Sequence, residues 1–304
     1  MFRPKGIITS MVTSFTADGG LDEAGLKENI AFQREAGVGT VCVLGATGEP
    51  TVMTRAERHR AMAVAMEAAA GGPEIVFGAV AGSPNDVLAD IRAAADAGAP
   101  ACMITSPPFI RPAPRDVRRF FVDVAAKSPL PLIIFNAPTR TGFLMSSELV
   151  IDLAHEIDMI VAIKDSSSDV AHFSRLRAEC PTEFSLLQGN DPVYLPSLAL
   201  GADGGILACA AAFPELFLKI EAAAARGAYA EARPSHHRIV ELSPLIYQAS
   251  YPGTLKRAME RRGLPVGRTR PPIYEIEPGH AAALDACVDA ILASLKTGTR
   301  RLAG

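Results

Sequence analysis

The chain has 304 residues, 49% hydrophobic and 21% charged, with a net charge of −3. Such a composition supplies a large buried core and excludes an intrinsically disordered polymer. Acids and bases are interspersed, which excludes the basic stripe a nucleic-acid backbone requires, so the expected partner is a small molecule, with no nucleic acid. Five cysteines, Cys42, Cys102, Cys180, Cys209 and Cys287, are odd in number and lack any CxxC pair, as in a reduced, cytoplasmic protein. The N-terminus has no apolar stretch followed by a small-residue cleavage site, and no run approaches the roughly 20 apolar residues that span a bilayer. No membrane partner is expected.

Short apolar runs alternate with longer alanine-rich segments of helical spacing. Candidate strands are Gly6–Ser10, Thr40–Val43, Glu74–Phe77, Ala101–Ile104, Pro131–Phe135, Ile160–Ile163, Phe184–Leu187 and Gly204–Leu207. Between them, Leu21–Ala36, Thr54–Ala70, Asn85–Ala97, Arg115–Ala126, Ser147–Ile157, Asp169–Cys180, Pro192–Leu200 and Pro214–Ala225 predict helices. Thr54 with Glu57 forms a capping box, and Pro192 and Pro214 suit a first helical turn. Eight strand–helix repeats point to an α/β chain of parallel strands closed into a (β/α)8 TIM barrel. An open doubly wound sheet is the alternative, but no glycine-rich phosphate loop follows the first strand. After Ala225 the strands cease, and Tyr229–Tyr247, Thr254–Arg262 and Pro278–Leu295 predict helices. The division is therefore a barrel over 1–225 carrying the active site and a C-terminal helical extension over 226–304 packed on it.

In such a barrel the chemistry gathers where strands end. Lys164 closes the sixth run, where burial would disfavour its charged form and leave a free amine able to attack a carbonyl. A lysine that snorkels to solvent or pairs with Asp165 is the alternative. After the second strand, Gly45-Ala46-Thr47-Gly48-Glu49-Pro50 lets backbone amides approach an anion, though a bare turn explains the glycines equally. After the fifth, Arg140 offers a fork for a carboxylate or is a solvated surface charge. Gly189-Asn190-Asp191-Pro192 opens a helix after the seventh. The six histidines show no metal-ligand spacing, and no GxSxG elbow follows a strand. Neither metal nor cofactor is expected.

Gly45-Ala46-Thr47-Gly48-Glu49, the Phe135–Gly142 segment FNAPTRTG, Ile163-Lys164-Asp165 and Leu187-Gln188-Gly189-Asn190-Asp191 together resemble the dihydrodipicolinate synthase and N-acetylneuraminate lyase family, in order and spacing from Gly6 to about Arg262. The resemblance implies a Schiff base between Lys164 and pyruvate or another 2-oxo acid, and a homotetramer built as a dimer of dimers. It implies that Thr47 and the amides of Gly45–Gly48 hold the 2-oxo acid carboxylate, that Gly189 and the Ile206 carbonyl line the pocket, and that Arg140 meets a second carboxylate. By the resemblance, the family's proton-relay hydroxyls are replaced: Phe135 stands where a tyrosine is usual, Phe109 where a tyrosine reaching across the tight dimer is usual, and Ala46 where a threonine is. The expected function is a Schiff-base-forming lyase that makes or breaks a carbon–carbon bond or removes water. The alternative is an impaired barrel that binds a 2-oxo acid as a sensor.

Overall fold

The computed structural model describes the backbone of residues 2–110 and 112–301, and side chains within that range up to 296; the ends of the expected division, 1 and 302–304, lie outside it. Eight parallel strands close a barrel in sequence order: β1 Gly6–Ser10, β2 Thr40–Val43, β3 Glu74–Gly78, β4 Cys102–Thr105, β5 Leu132–Asn136, β6 Ile160–Asp165, β7 Ser185–Gln188 and β8 Gly204–Leu207. The seam pairs Gly6 with Gly204. A side chain at Gly204 would stand 2.1 Å from the Gly6 carbonyl oxygen, so the backbones can meet there only without one.

The helices are α1 Glu23–Ala36, α2 Arg55–Ala68, α3 Pro84–Asp96, α4 Pro114–Ala125, α5 Pro138–Thr141, α6 Ser147–Glu156, α7 Val170–Glu179, α8 Tyr194–Ala199, α9 Pro214–Ala224, α10 Tyr229–Tyr247, α11 Gly253–Arg261 and α12 Pro278–Arg301. Local chemistry starts them: the Asp22 carboxylate accepts from the Gly25 amide, Thr54 and Glu57 cap α2 reciprocally, and Ser83 caps α3 ahead of Pro84. Two departures from expectation matter. The segment after β7 begins as a tight turn over Asp191–Val193 before α8, because the Asp191 side chain is committed inward, accepting from the Cys209 amide at 2.9 Å. The strand expected to end at Ile163 runs on to Asp165, because Lys164 and Asp165 still pair with Phe135 and Asn136 on one side and Leu187 and Gln188 on the other.

Strand alternation sorts the side chains into two cores. Ile8, Cys42, Val76, Met103, Ile133, Ala162, Leu187 and Ile206 fill the barrel, whereas Ile7, Val41, Val43, Ile134 and Ile163 face the helices. Lys164 is two residues beyond Ala162 and therefore points inward. Asp165, two beyond Ile163, points outward. The C-terminal helices are tied to the barrel by side chains: Arg262 meets Glu215 and donates to the Ala212 carbonyl, and Arg270 meets Glu57.

Candidate active site

Backbone strain marks one end of the barrel. Among the described residues the non-glycine residues with positive φ are Leu44 (60°), Glu49 (55°), Phe109 (74°) and Ser168 (61°). All four follow a strand's carboxyl end, two after β2, one after β4 and one after β6. Such conformations cost of order 1–3 kcal/mol each and persist where surrounding structure fixes them.

At this end lies a cavity of about 80 Å³ lined by Lys164, Thr47, Ala46, Phe135, Arg140, Gly189 and Ile206, together with Tyr247 and Tyr251. The residues expected from sequence therefore converge, with three exceptions. Gly45 and Gly48 do not line the cavity, and the Gly48 amide is used by the Gly45 carbonyl at 2.8 Å, closing the turn. Phe109 is 100% exposed at the tip of the β4–α4 loop and does not reach the cavity of its own chain.

Lys164 is 5% exposed. The pairing with Asp165 does not form, because the outward carboxylate accepts from the Asn136 amide nitrogen (2.7 Å) and the Ser167 hydroxyl (2.7 Å). Burial is the main reason the Lys164 amine falls from 10.5 to about 8. Asp191 works against that fall, and Arg140 adds to it. Cys42 would oppose it only as a thiolate, and burial holds that thiol up at about 11, so it is neutral at physiological pH. The Lys164 nitrogen lies 4.2 Å from the centre of the Phe135 ring. Gly189 makes room for its stem: a side chain there would stand 2.0 Å from Ser166 Oγ and 3.1 Å from Lys164 Cγ.

Two functional-site residues escaped the sequence reading. Tyr247 ends α10 and donates to the Asp191 carboxylate; its ring stacks on Tyr251 with centroids 5.0 Å apart. The Tyr251 hydroxyl is 2.6 Å from Thr47 Oγ1, which is 2.8 Å from Ser10 Oγ. The Arg140 guanidinium carbon lies 4.9 Å from the centre of the Tyr251 ring, with no carboxylate partner among the described residues. Residues of the C-terminal extension thus join those of 1–225 in lining this cavity. The spacing of Tyr247 and Tyr251, four residues apart, was the only signal, and their partners lie up to 204 positions away.

A second cavity of about 290 Å³ lies outside the first and shares Ala46, Phe135, Arg140 and Tyr251 with it as a throat. Its walls are largely apolar, including Pro50, Val52, Val80, Pro108, Pro272 and Ile273, with the buried Thr105 hydroxyl unpartnered among the described residues. Among the described residues no group of three or more His, Cys, Asp or Glu side chains stands close enough to hold a metal ion.

The Dihydrodipicolinate synthetase family model matches residues 3–291. The 4-hydroxy-tetrahydrodipicolinate synthases of Methanopyrus kandleri and Methanothermobacter thermautotrophicus are each 32% identical, over 90% and 85% of this chain and 92% and 93% of their own lengths. The chain belongs to the dihydrodipicolinate synthetase family. Among solved structures, dihydrodipicolinate synthase from Aquifex aeolicus superposes with a TM-score of 0.91 at 27% identity, covering 95% of this chain and 98% of its own. The enzyme from Cyanidioschyzon merolae gives 0.90 at 28%, covering 94% and 97%. Family membership and the closed barrel make the chain a lyase of the Schiff-base aldolase type that uses a 2-oxo acid, and leave the sensor reading without support.

Proposed function

We propose that Lys164 is the Schiff-base nucleophile and that pyruvate, or a close 2-oxo acid, is its electrophile. The observation that carries this is a buried, inward-facing amine, unpaired among the described residues and falling to about 8 through loss of water. In this reading the backbone amide of Thr47 takes the 2-oxo acid carboxylate, Gly189 and Ile206 shape the inner cavity, and the iminium stabilises the carbanion next to it. Arg140, in the throat between the cavities, meets an acidic group on the second substrate, whose body lies against the apolar outer walls. Ala46, Phe109 and Phe135 leave the site without the relay hydroxyls of its relatives. We therefore expect condensation or cleavage with a divergent carbonyl partner and weak synthase activity. The protein itself is a cytoplasmic homotetramer, a dimer of dimers, in this proposal.

Intact-protein mass spectrometry after incubation with pyruvate and borohydride tests the nucleophile. A reduced adduct present in the native chain and missing in Lys164→Ala supports the reading, and its persistence in the variant refutes it. A coupled assay with pyruvate and aspartate semialdehyde tests the substrate: efficient turnover would sink the expectation of weak synthase activity. Arg140→Ala should raise the KM for an acidic co-substrate by about 10–100-fold, the worth of one charged hydrogen bond, while leaving pyruvate trapping close to native.

A further inference from the structure

We propose that Tyr251 supplies, from the same chain, the acid–base hydroxyl that Ala46, Phe109 and Phe135 lack; the inference rests on Lys164 being the Schiff-base nucleophile. Joining the Lys164 ammonium to a ketone forms the C2–N bond, breaks the C2–O bond and releases water. Two protons that begin on nitrogen finish on the departing oxygen, so no outside acid or base is consumed. What the step needs is one group near both atoms that can accept and donate in turn.

The phenol of Tyr251 is the hydroxyl we assign to this role. It lines the same cavity of about 80 Å³ as Lys164. It is held at 2.6 Å by Thr47, the residue that takes the 2-oxo acid carboxylate in the proposed pose, which sets the hydroxyl beside the adjoining C2. Ser10 stands 2.8 Å behind Thr47. When Ser10 donates to Thr47 and Thr47 to Tyr251, the phenolic proton is free to pass to the carbinolamine oxygen; the phenolate left behind, still held by Thr47, then takes a proton from the nitrogen and is restored as the phenol. Arg140 over one part of the ring and Tyr247 stacked on it fix the plane. Ser166 also lines the cavity, but none of the hydrogen bonds described above fixes its hydroxyl, so it is the control.

The experiment times iminium formation by mixing the full-length protein with saturating pyruvate, trapping with borohydride at intervals and reading the adduct by mass. Tyr251→Phe should slow adduct formation by about 10²-fold or more, in line with the loss of a positioned acid–base group. It should leave the final extent of adduct unchanged, because a shuttle alters rate and not equilibrium; a merely structural role would change the extent. Adding Phe135→Tyr to that variant should recover much of the rate. Thr47→Val, which removes the anchor of the phenol, should also slow the step at saturation and serves if Tyr251→Phe does not fold. A Tyr251→Phe rate within about threefold of native, or a larger loss in Ser166→Ala than in Tyr251→Phe, overturns the relay while the Schiff base stands. Absence of any adduct in the native chain, with pyruvate and with longer 2-oxo acids, overturns the Schiff base itself.

Discussion

Two lysines lie deep in this chain, and each has an aromatic ring near its nitrogen: Phe135 at 4.2 Å from Lys164 and Phe15 at 4.4 Å from Lys256. They are 5% and 2% exposed. Burial pushes both amines downward. The difference is the company. Lys256 forms an ion pair with the Glu49 carboxylate at 2.7 Å and donates to the Arg268 carbonyl at 3.0 Å, so its desolvation is offset by a charge of opposite sign. Lys164 has neither, because Asp165 is turned to the other core by strand parity and Asp191 is engaged by Tyr247 and Cys209. Burial with a partner makes a brace; burial without one makes a nucleophile in waiting. Lys256 joins α11 to the β2 loop, whereas Lys164 faces the inner cavity.

Chemical trapping gives the widest separation of the two. Lys164→Met should abolish the borohydride adduct entirely, while Lys256→Met, if folded, should still form it at Lys164. The pH dependence follows from the amine. With its proton leaving near 8, the rate of adduct formation should rise about tenfold per pH unit below that value and level off above it. A flat profile from pH 6 to 8 would show that Lys164 is not the titrating group. Stability separates them next. Lys256→Met strands the buried Glu49 carboxylate and should cost about 3–5 kcal/mol in denaturant unfolding. Adding Glu49→Gln should return most of that loss, since the amide oxygen can still accept from the Arg270 amide, now 3.0 Å from Glu49. A double variant no more stable than the single would mean the pair was never the issue.

The architecture was legible to within a residue or two at most strand ends because parity and period are local. Ala162, Ile163 and Lys164 announce their faces by alternation alone, and Thr54 with Glu57 announces a helix start in four residues. The glycine-bounded loop and Lys164 could be read together because the strand count puts every strand's carboxyl end on one face. What could not be read was contact between distant segments. Tyr251 follows α10, outside the strand–helix repeat, and nothing in its neighbourhood speaks of Thr47. The role of Gly48 stayed open for a related reason: a glycine in a loop looks the same whether its amide is free or, as here, closes a turn on Gly45. The resemblance implied that hydroxyls are replaced at Ala46 and Phe135, and only the folded chain brings Tyr251 into the cavity those two residues line.

The smallest of the contrasts is the most specific, because it asks for opposite signs from one substitution. In the unfolded chain Lys164 holds its proton to about 10.5, and in the folded chain only to about 8. Below 8 both states are protonated, and the folded state carries the whole cost of a buried, unpaired ammonium. Between 8 and 10.5 the unfolded state binds more protons, so stability rises with pH; above 10.5 the cost is gone. Its ceiling is about 3 kcal/mol, so Lys164→Met, which keeps the stem's volume and removes the charge, should stabilise the chain by roughly 2–3 kcal/mol at pH 7. That gain should shrink toward pH 10. Urea midpoints for the native chain and the variant at both pH values measure it. Lys256→Met should lose stability at pH 7, where Lys164→Met gains it. If Lys164→Met gains nothing at pH 7, water reaches the amine, its proton stays on, and the contrast between the two lysines fails where the chemistry depends on it.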